Sequence, residues 1–141
     1  VYDLHRVSDP QPQREVIFLG WLMAGNVKGY AKADRLYKVR AVCQVGMGPA
    51  TKAASDKLRQ KLKLSLEVQV FTLQGGFDIR RLHGPYKWIM QMKCRDIRRT
   101  LEGKASLTPA QQLTYDMATR GASAVKQENL TDIVNWYKTT R

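Results

Sequence analysis

Residues 35–70 have the sequence RLYKVRAVCQVGMGPATKAASDKLRQKLKLSLEVQV and contain a strand pattern, a helix pattern and a second strand pattern in succession. From position 37 to position 45 every second residue is apolar, and the residues between them include Lys38, Arg40 and Gln44. Side chains of a strand alternate between its two faces, so this period of two predicts a half-buried strand over residues 35–45.

The period then changes twice. Apolar residues recur every four positions at 50, 54, 58 and 62, and lysine and arginine occupy much of the remaining surface, which predicts a basic amphipathic helix over residues 51–63. Beyond position 62 apolar and polar residues alternate again as far as Val70, which predicts a second strand over residues 62–70.

Outward from this stretch, further strands are predicted. An almost continuous apolar run over residues 15–24 predicts a buried strand, residues 77–82 a short strand, and the alternation over residues 86–94 another strand. From Arg95 onward the pattern is helical. Thr108 and Pro109 predict a helix start, Gly121 a helix end, and the apolar residues at 130, 133, 134 and 137 a last helix.

The predicted fold class is therefore α+β. We expect a four- or five-stranded, mostly antiparallel sheet with one inserted basic helix and two or three helices on the C-terminal side. Residues 1–14 contain Pro10 and Pro12, which disfavour helix at the preceding residues, and are expected to form an irregular leader. Residues 15–141 are expected to form a single basic domain, since their number is typical of one domain.

The charge is the unusual property of the chain. There are 24 lysine and arginine residues against 12 aspartate and glutamate residues, which gives a net charge of +12. Residues 28–104 contain 18 basic and 6 acidic residues and hence the whole excess. A strongly basic domain is typical of proteins that bind polyanions, and a general solubility effect would not need the charge to be confined to the middle of the chain.

Two groups of basic residues are candidate anion-binding sites. Lysine and arginine supply salt-dependent affinity for phosphate, and arginine does so through a planar fork of donors. The first group comprises Lys38, Arg40, Lys52, Lys57, Arg59, Lys61 and Lys63. The second comprises Arg80, Arg81, Lys87, Lys93, Arg95, Arg98, Arg99 and Lys104. For the first group the alternative is a solvated helix face, and for the second it is pairing with acidic groups of a neighbouring subunit.

Aromatic residues are interleaved with these charges. Tyr30 and Phe77 lie near predicted turns and are the candidates for stacking on unpaired bases. Tyr37 and Trp88 share their predicted strand faces with aliphatic residues, so both are assigned to the core.

The segment GMGPATK at residues 46–52 is a glycine-rich turn that leads into the basic helix. It is not a P-loop, because the G-x-x-x-x-G-K-[ST] pattern is absent. Over about 15 residues it resembles the strand–Gly-x-Gly–Lys–Ala helix entry of double-stranded-RNA-binding domains. It departs from that family in lacking tandem lysines and in having further strands after the helix.

Catalytic patterns are absent from the sequence. His5 and His83 are the only histidines and are far apart, and no serine or cysteine lies in a nucleophile motif. We therefore expect no enzyme, no metal and no cofactor. A ribonuclease that uses both histidines is the enzymatic alternative, because residues distant in sequence can meet in a fold.

Cys43 and Cys94 lack the spacing of a metal site or a disulfide framework, although a bridge between them stays open. We expect buried free thiols and an intracellular, reducing compartment. The longest apolar run, residues 16–24, is far shorter than the roughly 20 residues that span a bilayer, so any membrane association is expected to be peripheral.

The functional hypothesis is a non-enzymatic RNA-binding protein that contacts phosphates in a ribonucleoprotein. The alternative is a structural protein of the viral matrix type, which self-associates and docks on anionic membranes. DNA and an acidic protein partner are further polyanions that the composition leaves open.

Overall fold

The computed structural model describes residues 3–7, 9–23 and 25–140. Its described residues form two compact units. Unit 1 contains residues 1–45 and 50–73, and unit 2 contains residues 46–49 and 74–141. The basic helix predicted over residues 51–63 belongs to unit 1, and the predicted C-terminal helices belong to unit 2.

Unit 1 is built around a four-stranded sheet. Its strands are β1 (Gln11–Met23), β2 (Asn26–Val27), β3 (Tyr37–Gly46) and β4 (Gln69–Gln74), in the order β2-β1-β3-β4. Helix α1 (Tyr30–Leu36) precedes β3, and helix α2 (Lys52–Leu62) connects β3 to β4. The α+β class and the inserted basic helix are thus confirmed. Strand β1 begins at Gln11, inside the segment that was expected to be an irregular leader.

The expected strand directions are wrong. Only the β1–β2 pair of this sheet is antiparallel, whereas β1 runs parallel to β3 and the remaining pair is also parallel. Strand β2 and helix α1 together return the chain to the end of the sheet at which β1 began, and helix α2 returns it to the end at which β3 began. Such crossovers join parallel strands. The alternation of side chains within a strand is the same in both arrangements, so it carries no information on direction.

The core of unit 1 lies on one side of β1 and β3. Phe18, Val39 and Val42 are buried there together with Leu58 of α2. The prediction of a buried strand at residues 15–24 is only half correct, because Leu19 is 60% exposed and Ile17 and Trp21 are also exposed. β1 therefore has one buried face and one largely open face.

Helix α2 begins as its sequence dictates and ends where the strand pattern was expected to start. The side chain of Thr51 accepts a hydrogen bond from the backbone N–H of Ala54, which caps the first turn. Lys63 ends the helix in the left-handed conformation with φ 52°. Residues 64–68 form turns instead of the predicted strand, and β4 begins only at Gln69.

Unit 2 is mainly helical. The short strands β5 (Gly76–Phe77) and β6 (Ala122–Ser123) form an antiparallel pair, and the chain between them contains α3 (Gly84–Glu102) and α4 (Pro109–Thr119). Helix α5 (Thr131–Thr139) follows. Three helices on the C-terminal side agree with the prediction. Residues 79–81 form a 3-10 helix, so the expected short strand over residues 77–82 is reduced to β5 at its start.

The predicted strand over residues 86–94 is wrong, because these residues lie in the first half of α3. Met90, Cys94, Ile97 and Leu101 are spaced by four, three and four positions and form the inward face of this helix, on which Cys94 and Leu101 are buried. Cys94 is therefore a helix residue and not a strand residue. The alternation over residues 86–94 that suggested a strand shares only Met90 and Cys94 with this helical spacing.

The start and end of α4 follow the prediction. The Thr108 side chain accepts from the backbone N–H of Gln111, the Gln111 side chain accepts from the backbone N–H of Thr108, and Pro109 occupies the first turn. Gly121, just beyond the helix, has φ 81°, a conformation that glycine adopts without strain.

Candidate anion-binding surfaces

Lys38 and Arg40 of β3 are already engaged by an acidic residue. Glu15 of β1 lies opposite Lys38, and its Oε1 atom is 3.0 Å from Lys38 Nζ and 3.8 Å from Arg40 Nε. The hydrogen bond from Lys38 lowers the pKa of Glu15, and the charge of Arg40 adds to this effect. The two cations therefore stabilise the pairing of β1 with β3 and are poorer phosphate ligands than their sequence positions indicated.

Helix α2 presents most of its predicted basic residues to solvent. Lys52, Lys57, Lys61 and the terminal Lys63 are all exposed. Arg59 differs from them. Its Nη1 donates to the carbonyl oxygen of Ser65 at 2.6 Å, and its Nη2 donates to that of Val68 at 2.8 Å. Because the guanidinium holds the backbone of the following turn, we assign Arg59 to structure. Lys52, Lys57 and Lys63 remain the candidate anion ligands of this helix, whereas Lys61 already interacts within the chain.

The turn that Arg59 holds displays a leucine. Leu66 is 86% exposed, in contrast with Leu64, which is buried two residues earlier. Lys61 and Lys63 precede it and Glu67 follows it. A braced loop thus places one apolar side chain in solvent at the end of a basic helix. The strand predicted at residues 62–70 would have turned this side chain inward.

The second basic group also contains both residues that are bonded within the fold and residues that are exposed to solvent. Arg80 forms two hydrogen bonds with Asp78, from Nε to Oδ1 at 2.9 Å and from Nη2 to Oδ2 at 2.8 Å. These bonds, followed by one from the backbone N–H of Arg80, lower the pKa of Asp78 to about 2. Arg81 is exposed and has no ion pair within the described residues, so it remains available to a ligand, whereas the fork of Arg80 is occupied.

Three arginines of α3 share one side of the helix. Arg95, Arg98 and Arg99 are all exposed and fall within an arc of about 100°, given 3.6 residues per turn. Within the described residues none of the three has an acidic partner within ion-pair distance. Lys104, just beyond α3, is exposed as well. The predicted arginine cluster is therefore present, and its three guanidinium groups form no ion pair with the residues that the structure describes.

Lys87 and Lys93 lie elsewhere on α3. Lys87 is half-buried toward the inward side of the helix. Lys93 lines a shallow open cleft of about 250 Å³ together with Asp96, Thr100 and Thr114. The structure therefore does not bring these two lysines together with the arginine cluster.

Trp88, which was assigned to the core, is 67% exposed. Ile89 and Met92 are 53% and 52% exposed on the same helix. The sequence contains a signal that would have revealed this. When residues 86–101 are read at helical spacing, positions 90, 94, 97 and 101 form the buried side, and Trp88 falls on the opposite side.

The two aromatic residues proposed for base stacking are less accessible than Trp88. The ring of Tyr30 packs edge-on against Phe18, with centroids 5.9 Å apart, and its hydroxyl donates to Asp34. Burial, together with this hydrogen bond, raises the pKa of Tyr30 to about 12. Phe77 lies in β5 and is half-buried. Tyr30 belongs to unit 1 and Phe77 to unit 2, so they do not form one stacking surface within either unit.

The glycine-rich turn at residues 46–49 is fixed by side chains of its own unit. The carbonyl oxygen of Met47 accepts hydrogen bonds from Gln74 Nε2 at 2.9 Å and from Thr114 Oγ1 at 3.0 Å. Gln74 also donates to Ala110. These contacts explain the conformation of the turn without any bound phosphate.

The thiols of the two cysteines have low reactivity. Both are free and buried, Cys43 in unit 1 and Cys94 in unit 2. Burial raises the pKa of Cys43 to about 12 and also raises that of Cys94. Since the thiolate is the reactive form, neither is a good nucleophile at neutral pH. In the described parts of the chain no three histidine, cysteine, aspartate or glutamate side chains lie close enough together to hold a metal ion.

None of the helices in the described ranges combines the length and the apolar character that crossing a membrane requires. Comparison of the chain with models of protein families, with curated proteins and with solved structures yields no match.

Proposed function

We propose that this protein is a non-enzymatic polyanion-binding protein whose principal ligand is RNA, bound through its phosphates. The observation that carries the proposal is the cluster of Arg95, Arg98 and Arg99 on one side of α3, exposed and without acidic partners among the described residues. Like charges that lack a close ion pair repel one another, and a bound polyanion reduces this repulsion while it accepts charge-assisted hydrogen bonds.

The residue type supports phosphate as the ligand. Arginine presents a planar fork of donors that matches two phosphate oxygens, and it holds less tightly to its water than lysine does. The exposed lysines of α2 extend the positive potential over unit 1 and increase the rate of encounter with a polyanion. Such contacts recognise the backbone and not the base edges, so binding is expected to depend weakly on sequence and steeply on salt.

Direct binding measurements test the proposal. The full chain is titrated into fluorescently labelled single-stranded RNA, duplex RNA, duplex DNA and anionic vesicles, each at about 50 mM and 200 mM salt. Binding to RNA at low salt that weakens at least tenfold at the higher salt is expected. A chain that leaves RNA free at low salt is not an RNA-binding protein.

A second candidate function, docking on an anionic membrane surface, is favoured by the position of Leu66. An apolar side chain that is 86% exposed, on a loop braced by Arg59 and preceded by Lys63, can enter the interfacial region while lysines such as Lys63 contact lipid headgroups. One leucine and a few lysines give weak binding by a single copy, so self-association would be needed to supply multivalency. Vesicle co-sedimentation at increasing protein concentration tests this candidate, and it fails if neither anionic nor neutral vesicles retain the chain.

A further inference from the structure

The exposed side of α3 carries an ordered line of side chains. Trp88, Met92, Arg95 and Arg99 are spaced by four, three and four positions and therefore lie along one stripe of the helix. The apolar residues occupy the N-terminal half of the stripe and the arginines occupy the C-terminal half. With a rise of 1.5 Å per residue, Trp88 and Arg95 are about 10 Å apart along the helix axis.

The fold does not account for Trp88 on this stripe. The inward side of α3 is supplied by Met90, Cys94, Ile97 and Leu101, and Trp88 lies opposite them with 67% of its surface in solvent. Burying a tryptophan is strongly favourable, so an exposed one on the same helix as the exposed Ile89 and Met92 is typical of a surface that another molecule covers.

We infer that Trp88 is a stacking platform for an unpaired base of single-stranded RNA whose neighbouring phosphates are bound by Arg95 and Arg99. This inference rests on the proposed function and names its substrate class. An indole offers a flat face to any of the four bases, and stacking beside arginine–phosphate contacts is how single strands are bound without sequence preference. A duplex keeps its bases paired and stacked inside, so it can use the arginines but not Trp88.

The arrangement of charge favours a nucleic acid over a lipid surface at this site. A helix that lies in a membrane interface separates its apolar residues and its cations onto different faces. On α3 the arginines share the exposed side with Trp88 and Met92, and the opposite side is occupied by the inward-facing residues Cys94 and Leu101. The acidic Asp96 also projects from the exposed side, next to Met92, where it would face anionic headgroups.

The test compares single-stranded and duplex RNA of the same sequence. A labelled 12-nucleotide strand is titrated alone and after annealing to its complement, at one fixed salt concentration, with the full-length wild-type chain, Trp88→Ala, Trp88→Phe and Ile89→Ala. Ile89→Ala is the matched control, because Ile89 is a similarly exposed neighbour that lies off the stripe. Trp88→Ala is expected to weaken single-strand binding about 5- to 100-fold and duplex binding less than twofold. Trp88→Phe, which retains a ring, should recover most of the loss.

The possible outcomes separate the inference from the function on which it rests. An equal loss on both RNA forms, or no loss at all with Trp88→Ala while neutralisation of the three arginines still abolishes binding, overturns the stacking role and leaves RNA binding in place. Wild-type chain that binds neither RNA form overturns both. Vesicle binding that depends on Trp88 without any preference for single strands assigns the surface to lipid and also overturns the inference. Circular dichroism of each variant confirms that the helix content is unchanged.

Discussion

Arg59 donates a hydrogen bond from Nη1 to the backbone carbonyl of Ser65, with 2.6 Å between the two atoms. Its other terminal nitrogen reaches the carbonyl of Val68, so one guanidinium spans the turn between α2 and β4. Although Arg59 lies in a run of basic residues, its guanidinium stabilises the turn and is therefore not free to bind a ligand. The guanidinium reaches the two carbonyls from two different nitrogens, whereas each neighbouring lysine has only one terminal nitrogen from which to donate.

Replacement of Arg59 is therefore expected to reduce stability. Arg59→Ala should lower the free energy of unfolding by about 2 to 4 kcal/mol, because two hydrogen bonds from a charged donor are lost. The Ser65 carbonyl keeps its hydrogen bond from the backbone N–H of Val68. Arg59→Lys, which can restore one bond, should lose about half as much. Urea denaturation followed by circular dichroism measures the effect. Lys57→Ala, an exposed change two positions earlier in α2, is the control and should alter the free energy by less than about 0.5 kcal/mol.

Neutralising the arginine cluster is expected to weaken RNA binding and reduce its salt dependence together. The variant in which Arg95, Arg98 and Arg99 are all replaced by glutamine loses up to three phosphate contacts. The slope of log K against log salt on single-stranded RNA should therefore become shallower by about 2, since each contact contributes about 0.7. Fluorescence anisotropy at four or more salt concentrations supplies the slope.

The control for this variant removes the same charge elsewhere. Arg35, Lys126 and Lys138 are exposed, lie outside α3, and have no ion pair within the described ranges. Their joint replacement by glutamine also lowers the net charge by three but should leave most of the slope intact. Equal losses in the two triple variants would show that net charge alone, and not the cluster on α3, controls binding.

Substitution of Leu66 tests directly whether its loop docks on membranes. Leu66→Ser should reduce the affinity for anionic vesicles about tenfold, since transfer of a leucine side chain out of water is worth about 1.5 to 3 kcal/mol. The free energy of unfolding should hardly change, because the side chain is exposed in the folded state. Co-sedimentation with vesicles that contain phosphatidylserine gives the affinity, and Val125→Ser, at a similarly exposed residue of unit 2, is the control. Unchanged sedimentation of Leu66→Ser would remove the loop from any docking surface.

The helices and strands predicted correctly from the sequence are those whose boundaries are set by residues close to them in the chain. The start of α4 follows from Thr108 and Pro109, and the bounds of α2 follow from the capping residue Thr51 and the spacing of its leucines. β3 follows from an alternation that is sustained from Tyr37 to Val45. In each case the chemistry that sets the boundary lies within a few residues of it.

The predictions that were wrong concern features that depend on distant parts of the chain, or sequence patterns that fit more than one secondary structure. Strand direction depends on where a crossover returns the chain, which alternation does not encode. Residues 86–94 fit both a strand and a helix, and the continuation of the helical spacing to Leu101 decides between them. That one error also placed Trp88 in the core and thus removed the best stacking candidate from the predicted site. The structural engagement of Arg59 and Arg80 depends on partners whose geometry is set by turns, which a charge count does not show.

The pair formed by Asp78 and Arg80 predicts a specific acid dependence of stability. The folded-state pKa of Asp78 is about 2, below the ordinary value of 3.8, chiefly because of the hydrogen bonds from Arg80. A depressed carboxyl pKa contributes stability that is fully present above the ordinary pKa and is lost as the pH falls through the folded-state value. The difference in free energy of unfolding between wild type and Asp78→Asn should therefore be constant above about pH 5 and shrink between about pH 4 and pH 2. Arg80→Gln should move the Asp78 carboxyl titration, followed by carbon-13 NMR, back toward its ordinary range. A carboxyl that titrates near 3.8 in the wild-type chain would contradict the assigned role of Arg80.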